Sequence, residues 1–140
     1  MALFRKVHTS FWDDPFVEKL TPDEKFFYLF IMTNPRSTEC GVYELTKKKM
    51  KDWTGYNDET IDTLLKRFIS HKKLIYNEPT SEIAIINKPN YINQLGKPVR
   101  DCLISELKKI KEKSLISALS ENCGNEEIKE LYGAYNVTCT

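Results

Sequence analysis

Four cysteines (Cys40, Cys102, Cys123, Cys139), two histidines (His8, His71) and adjacent acid pairs such as Asp13-Asp14 and Glu126-Glu127 are the side chains that could catalyse a reaction or hold a metal. None of them falls into the pattern such chemistry needs. A zinc site takes soft ligands at short spacings, and no C-x-x-C pair occurs. Nucleophilic catalysis needs a Ser or Cys beside a base that a third group orients. One histidine lies near the N-terminus and the other at a predicted helix end, so no triad is legible. Acid–base work needs a pocket that shifts a pKa, whereas adjacent acids at turns are ordinarily solvated. The five glycines stand singly at 41, 55, 96, 124 and 133, so no glycine-rich phosphate loop is present. The expectation is a chain that is not an enzyme and has no catalytic residues, metal or cofactor.

The cations are more suggestive. Lys47, Lys48, Lys49 and Lys51 crowd one short segment. Ammonium groups neutralise phosphates and give affinity for nucleic acid without reading its sequence. Thr63, Lys66 and Arg67 fall on the polar side of the next predicted helix and are types that reach base edges or phosphates. The candidate DNA-binding set is therefore Lys47, Lys48, Lys51, Thr63, Lys66 and Arg67. Glu59 and Asp62 share that side and oppose it, since phosphate repels a carboxylate that does not accept from cytosine. No Lys or Arg stands between Asn77 and Asn87.

The elements that must position these residues follow from local signals. Thr21-Pro22-Asp23-Glu24 is a capping box with proline at the first helical position, and Asn34-Pro35 stops the helix it starts. From Phe26 to Met32 this helix is apolar on nearly every side. It is either packed from several directions at the centre of the core or partly covered by another chain. Residues 4–12 predict a short strand or an extended arm, with a short helix capped by Asp13 or Asp14 and ending near Leu20. Cys40 to Leu45 predicts a strand. Thr46 caps a helix over 47–53 whose buried side would be Met50 and Trp53, and Gly55 suits its left-handed end. Asn57 caps the next helix, where Ile61, Leu64, Leu65 and Phe68 form one buried face. Residues 73–77 and 82–87 predict two strands joined by Pro79-Thr80-Ser81. Pro98 starts a last long helix, with Val99, Leu103, Leu107 and Ile110 on one side, predicted to reach Leu119.

That order predicts a mainly α chain with a small β-hairpin, arranged as a winged helix-turn-helix with an N-terminal arm and an added C-terminal helix. The expected division is 1–20 arm and short helix, 21–97 winged-helix domain, 98–119 C-terminal helix and 120–140 weakly structured tail, with room for one more helical turn or two over 125–132. At 140 residues one core is the natural expectation. Lys and Arg number 21 and Asp and Glu 20, a net charge of +1, so any nucleic-acid affinity must come from local asymmetry. The asymmetry exists: from Glu44 to Lys73 eight basic and five acidic residues give +3, and from Glu121 to Thr140 one lysine and four glutamates give −3. The longest apolar run is seven residues, far short of a membrane span, and the N-terminus lacks signal-peptide features. A cytoplasmic protein with reduced thiols is expected.

The runs FWDDP (11–15), LTPDEKFFYLF (20–30), TNP (33–35), CGVYEL (40–45), TGY (54–56) and NQLGKP (93–98) together resemble the N-terminal domain of phage replisome organisers. Those proteins are related to the DnaD-type primosomal proteins of low-GC Gram-positive bacteria. The resemblance covers roughly residues 5–119. It implies a winged-helix domain that self-associates and binds an origin during phage or prophage replication in a bacterial host. In the family a separate C-terminal domain engages DNA and the helicase-loading machinery. Residues after about 120 depart from the family's usual continuation, which leads us to expect a shortened prophage copy or a single-domain relative.

The expected partners are duplex DNA of an origin region, a second copy of the chain and host helicase-loading proteins, with no membrane. Self-association is expected through Phe11, Trp12, Phe27, Phe30, Leu103 and Leu107, from the arm, the apolar helix and the last helix. Two alternatives stand beside this: a winged-helix oligomerisation scaffold without direct DNA contact, and a prophage transcription regulator that binds a palindromic operator.

Overall fold

The computed structural model describes residues 3–92 and 95–136. Asn93 and Gln94 of the NQLGKP run lie outside them, as does Cys139. The described chain is mainly helical with a small antiparallel sheet of three strands. Residues 4–8 are irregular and lead into a 3-10 turn, Thr9–Asp13, instead of a strand. Then follow α1 (Pro15–Glu18), α2 (Pro22–Thr33), β1 (Val42–Glu44), α3 (Lys47–Thr54) and α4 (Asp58–Ser70). The strands β2 (Leu74–Asn77) and β3 (Glu82–Ile85) form a hairpin, and α5 (Lys97–Lys109), α6 (Ser114–Glu121) and α7 (Glu126–Gly133) complete the chain.

Local chemistry fixes the helix ends. In α2 the Thr21 side chain accepts from the Glu24 N–H while the Glu24 carboxylate accepts from the Thr21 N–H, which satisfies two of the free donors of the first turn. The α3 C-cap is Gly55 at φ 83°, a left-handed conformation that a side chain would resist. Asn57 caps α4 by accepting from the Thr60 N–H at 2.8 Å. The buried face of α4 is Ile61, Leu64, Leu65 and Phe68. Four such side chains contribute on the order of 6–12 kcal/mol of gross burial energy, so Phe68→Ala alone would cost about 3–5 kcal/mol.

The strand order is β1-β3-β2, with Tyr43 and Tyr76 both opposite Ile83. Alternation along β3 splits the molecule into two cores. Ile83 and Ile85 join Phe27, Ile31, Met50, Phe68 and the rest of the α1–α4 side. Ala84 joins Val42, Leu103, Leu107, Ile116 and Tyr132 on the α5–α7 side. Polar groups tie the segment before β1 to α5 and α7. The Glu106 carboxylate accepts from the Glu39 and Cys40 N–H groups, and the Tyr132 hydroxyl donates to the Cys40 carbonyl at 2.9 Å.

Two expectations for the C-terminal part are corrected. The helix from Pro98 does not reach Leu119; it ends at Lys109 and a new helix starts at Ser114. The cause is Glu82, 4% exposed on β3, whose carboxylate accepts from the Lys111 and Glu112 N–H groups at 2.9 Å each. Those donors would otherwise continue the helix. The Leu107 carbonyl left behind accepts instead from Lys113 Nζ at 3.1 Å. The tail expected over 120–140 is not weakly structured: the helical turn or two allowed over 125–132 is α7, which Asn125 caps and which buries Ile128, Leu131 and Tyr132. A four-residue irregular link after α6 (122–125) leads into it. No described helix is long and apolar enough to cross a membrane.

Candidate nucleic-acid interface

The α3 lysines and the α4 polar side lie on adjacent helices, because the left-handed Gly55 and the Asn57 cap turn the chain sharply between them. On α4 the outermost ridge is Glu59, Thr63, Lys66 and Ser70, opposite the buried face and all exposed. Asp62 flanks the ridge on the side of α3, and Arg67 on the side of α2.

Most of the expected cations carry acid partners. Lys47 Nζ lies 3.0 Å from Asp62 Oδ1 and 2.6 Å from Glu78 Oε1, clamped between α4 and the hairpin turn. Glu78 first, and then Asp62, hold its ammonium above the ordinary lysine range. Lys48 pairs with Asp52 at 3.0 Å, Lys51 with Asp58 at 3.0 Å and Arg67 with Glu24 at 2.8 Å. Exposed pairs of this kind contribute roughly 0–1 kcal/mol each, so a polyanion can displace them, but the resting surface is locally neutral. Thr63 Oγ1 donates to the Glu59 carbonyl one turn back.

Among the described residues Lys66 has no carboxylate partner, nor do Lys72 and Lys73 just past the end of α4. Lys73 Nζ instead sits 4.9 Å from the Phe16 ring centre. The free positive charge thus lies at the C-terminal half of α4 and its exit. The N-terminal half is acidic: a shallow depression of about 340 Å³ there is lined by Asp23, Glu24, Glu59, Thr60 and Thr63. Spacing alone did not reveal this division. Of the pairs formed here, only Lys48–Asp52 stands at the i, i+4 spacing of a single helix.

No known protein family, curated protein or solved structure matches the chain.

Four of the six residues expected to meet another copy are interior to this one. Phe11 is 6% exposed, and Phe27, Leu103 and Leu107 are fully buried. Their apolar periodicity fills the two cores of their own chain, so they are corrected to core residues. Trp12 remains exposed, and Phe30 half-buried. The expected buried side of α3 is also corrected. Met50 is buried, but Trp53 is 41% exposed and turned to the surface of α2, where it meets Phe30 edge-on at 6.3 Å. Cys40 and Cys123 are buried and Cys102 exposed, all as free thiols. Burial pushes the Cys40 thiol up to about 12, so it stays protonated and unreactive near neutrality. Among the described residues no cluster of three or more His, Cys, Asp or Glu is placed to hold a metal ion.

Proposed function

We propose that this chain is a winged-helix module that binds DNA and assembles with itself during initiation of phage or prophage replication, without catalysis. One observation carries the reading. The elements run α2-β1-α3-α4-β2-β3 with strand order β1-β3-β2, and α4 keeps its ridge of Thr63 and Lys66 open to solvent. In helix-turn-helix proteins the second helix of such a pair enters the major groove while the first crosses the backbone. The resemblance to replisome organisers supports replication as the setting. Host helicase-loading proteins are proposed partners on that ground alone.

Duplex binding measured over a salt series tests this. Fragments from the neighbouring genome should bind at low salt and weaken steeply between about 50 and 200 mM. Lys66→Ala and Arg67→Ala should each weaken binding across sequences. Absence of binding at low salt, or indifference to both substitutions, would remove the DNA reading. Preference for a single palindrome over clustered repeats would favour the transcription-regulator alternative.

A second reading is an oligomerisation scaffold without direct DNA contact. The clamp of Lys47 by Asp62 and Glu78 favours it, because it neutralises the candidate face from within. Self-association that proceeds with no DNA binding would select this alternative.

A further inference from the structure

Alongside the candidate DNA face lies a strip of aromatic side chains in which Phe30 and Tyr56 pack half-buried against the first core and Phe26 and Trp53 stand outside both cores. On α2, Asp23, Phe26 and Phe30 stand at i, i+3 and i+7, a ridge beside the buried face of Phe27 and Ile31, and Phe30 meets Phe27 at 6.2 Å between ring centres. The end of α3 and the turn after it run antiparallel beside this ridge. Tyr56 meets Phe26 edge-on at 6.0 Å between ring centres, and Trp53 meets Phe30 at 6.3 Å. Phe26 is 48% exposed and Trp53 41%. Aromatic side chains left together on a surface mark an interface far more often than singly exposed ones do, and Trp and Tyr dominate interface energetics.

The ends of the strip carry opposite charges. At one end the Asp23 carboxylate accepts from the Tyr56 hydroxyl at 2.8 Å. At the other, Lys49 Nζ rests 5.3 Å from the Trp53 ring centre, and among the described residues it alone of the four α3 lysines has no carboxylate partner. The order along the strip is therefore acid, two aromatic pairs, cation. A two-fold interface must be self-complementary, with each copy offering the same patch in reverse. Turned about its own midpoint, this strip sets Asp23 of each copy against Lys49 of the other and one aromatic pair against its neighbour's.

We infer that the strip formed by Asp23, Phe26, Phe30, Lys49, Trp53 and Tyr56 is a two-fold dimer interface whose occupant is a second copy of this chain. This rests on the self-assembly part of the function proposed above and names its surface. The surface differs from the one expected from periodicity, since Phe11, Phe27, Leu103 and Leu107 are interior. It includes no residue of the α4 ridge, although Asp23 at the end of the strip borders the depression that Glu59 and Thr63 line.

Sedimentation equilibrium on the full chain tests the inference, with circular dichroism and melting to verify that each variant is folded. The wild type should dimerise at micromolar concentrations. The double variant Phe26→Ser/Trp53→Ser should weaken the dimer roughly thirtyfold or more, as loss of central aromatics does elsewhere. Lys49→Glu sets acid against acid across the two-fold, and Asp23→Lys sets cation against cation, so each alone should be monomeric. Mixed in equal amounts they should form a heterodimer, because each carries the charge the other lacks. The charge variants lie on the surface and keep the test open if the aromatic variant fails to fold. A wild type that associates while all these variants associate equally would overturn this interface and leave self-assembly standing. A monomeric wild type would overturn both. Loss of single-stranded oligonucleotide binding in Phe26→Ser/Trp53→Ser, with mass unchanged from wild type, would make the strip a base-stacking platform and overturn the dimer.

Discussion

Lys47, the first residue of α3, reaches Asp62 in the middle of α4 with its Nζ 3.0 Å from Oδ1, and in the same position it meets Glu78 of the hairpin turn. One cation thus binds three elements that a duplex would have to engage together. In Asp62→Asn/Glu78→Gln that cation is released, and a proposed phosphate contact is unmasked. Duplex affinity at low salt should rise about two- to fivefold and the salt slope should steepen by about one, read by fluorescence anisotropy. Folding stability should change by less than about 1 kcal/mol, as for other exposed pairs. Unchanged affinity would leave Lys47 outside any DNA contact.

Glu82→Ala should be among the most damaging single substitutions. It removes a buried carboxylate that accepts two backbone N–H groups at 2.9 Å and sets the break between α5 and α6. Charge-assisted bonds of this kind contribute about 1.5–3 kcal/mol each when broken one-sidedly. A loss of roughly 3–6 kcal/mol in urea unfolding is expected. A loss below about 0.5 kcal/mol would mean that the break is held by packing alone.

Gly41 sits at φ 90° just before β1, and a Cβ built there would come within 2.6 Å of Lys88 Cβ. Neither the backbone conformation nor the space admits a side chain. Gly41→Ala should cost about 2 kcal/mol or more, seen as a lower urea midpoint with an unchanged slope.

Alkaline pH should unfold the protein through its tyrosines. Burial first, then the Asp23 carboxylate, push the Tyr56 hydroxyl above its ordinary value, up to about 12. Burial holds Tyr43 and Tyr132 higher still. A group whose folded pKa is raised stabilises the fold below its unfolded pKa. That contribution is lost as pH rises through the unfolded and then the folded value. Stability should therefore fall above about pH 10. Tyrosinate absorbance from the buried rings should rise together with loss of the helical circular dichroism signal. Their full ionisation in a still-helical protein would contradict this.

What was legible in the sequence was local. The Thr21/Glu24 capping box, the Gly55 stop, the Asn57 cap and the apolar face of α4 each depend on residues a few positions apart, and each stands where expected. The break after Lys109 was hidden, because no glycine or proline marks it and its cause, Glu82, lies 29 residues away from Lys111. The charge state of the candidate DNA face was hidden for the same reason. Lys47 finds its acids on α4 and on the hairpin, and only the tertiary fold brings them there. Apolar spacing identified faces that need covering but not what covers them. Phe27 and Leu107 therefore read as contact residues while Trp53 read as buried, the reverse of their places in the fold.

Every residue of β3 is buried, and its two sides belong to different cores. Such a strand cannot lose protection when only one half of the molecule opens. The amides of Ile83, Ala84 and Ile85 should be the last to exchange with solvent, at the free energy of global unfolding. Exposing those three amides therefore requires the α2–α4 half and the α5–α7 half to open together.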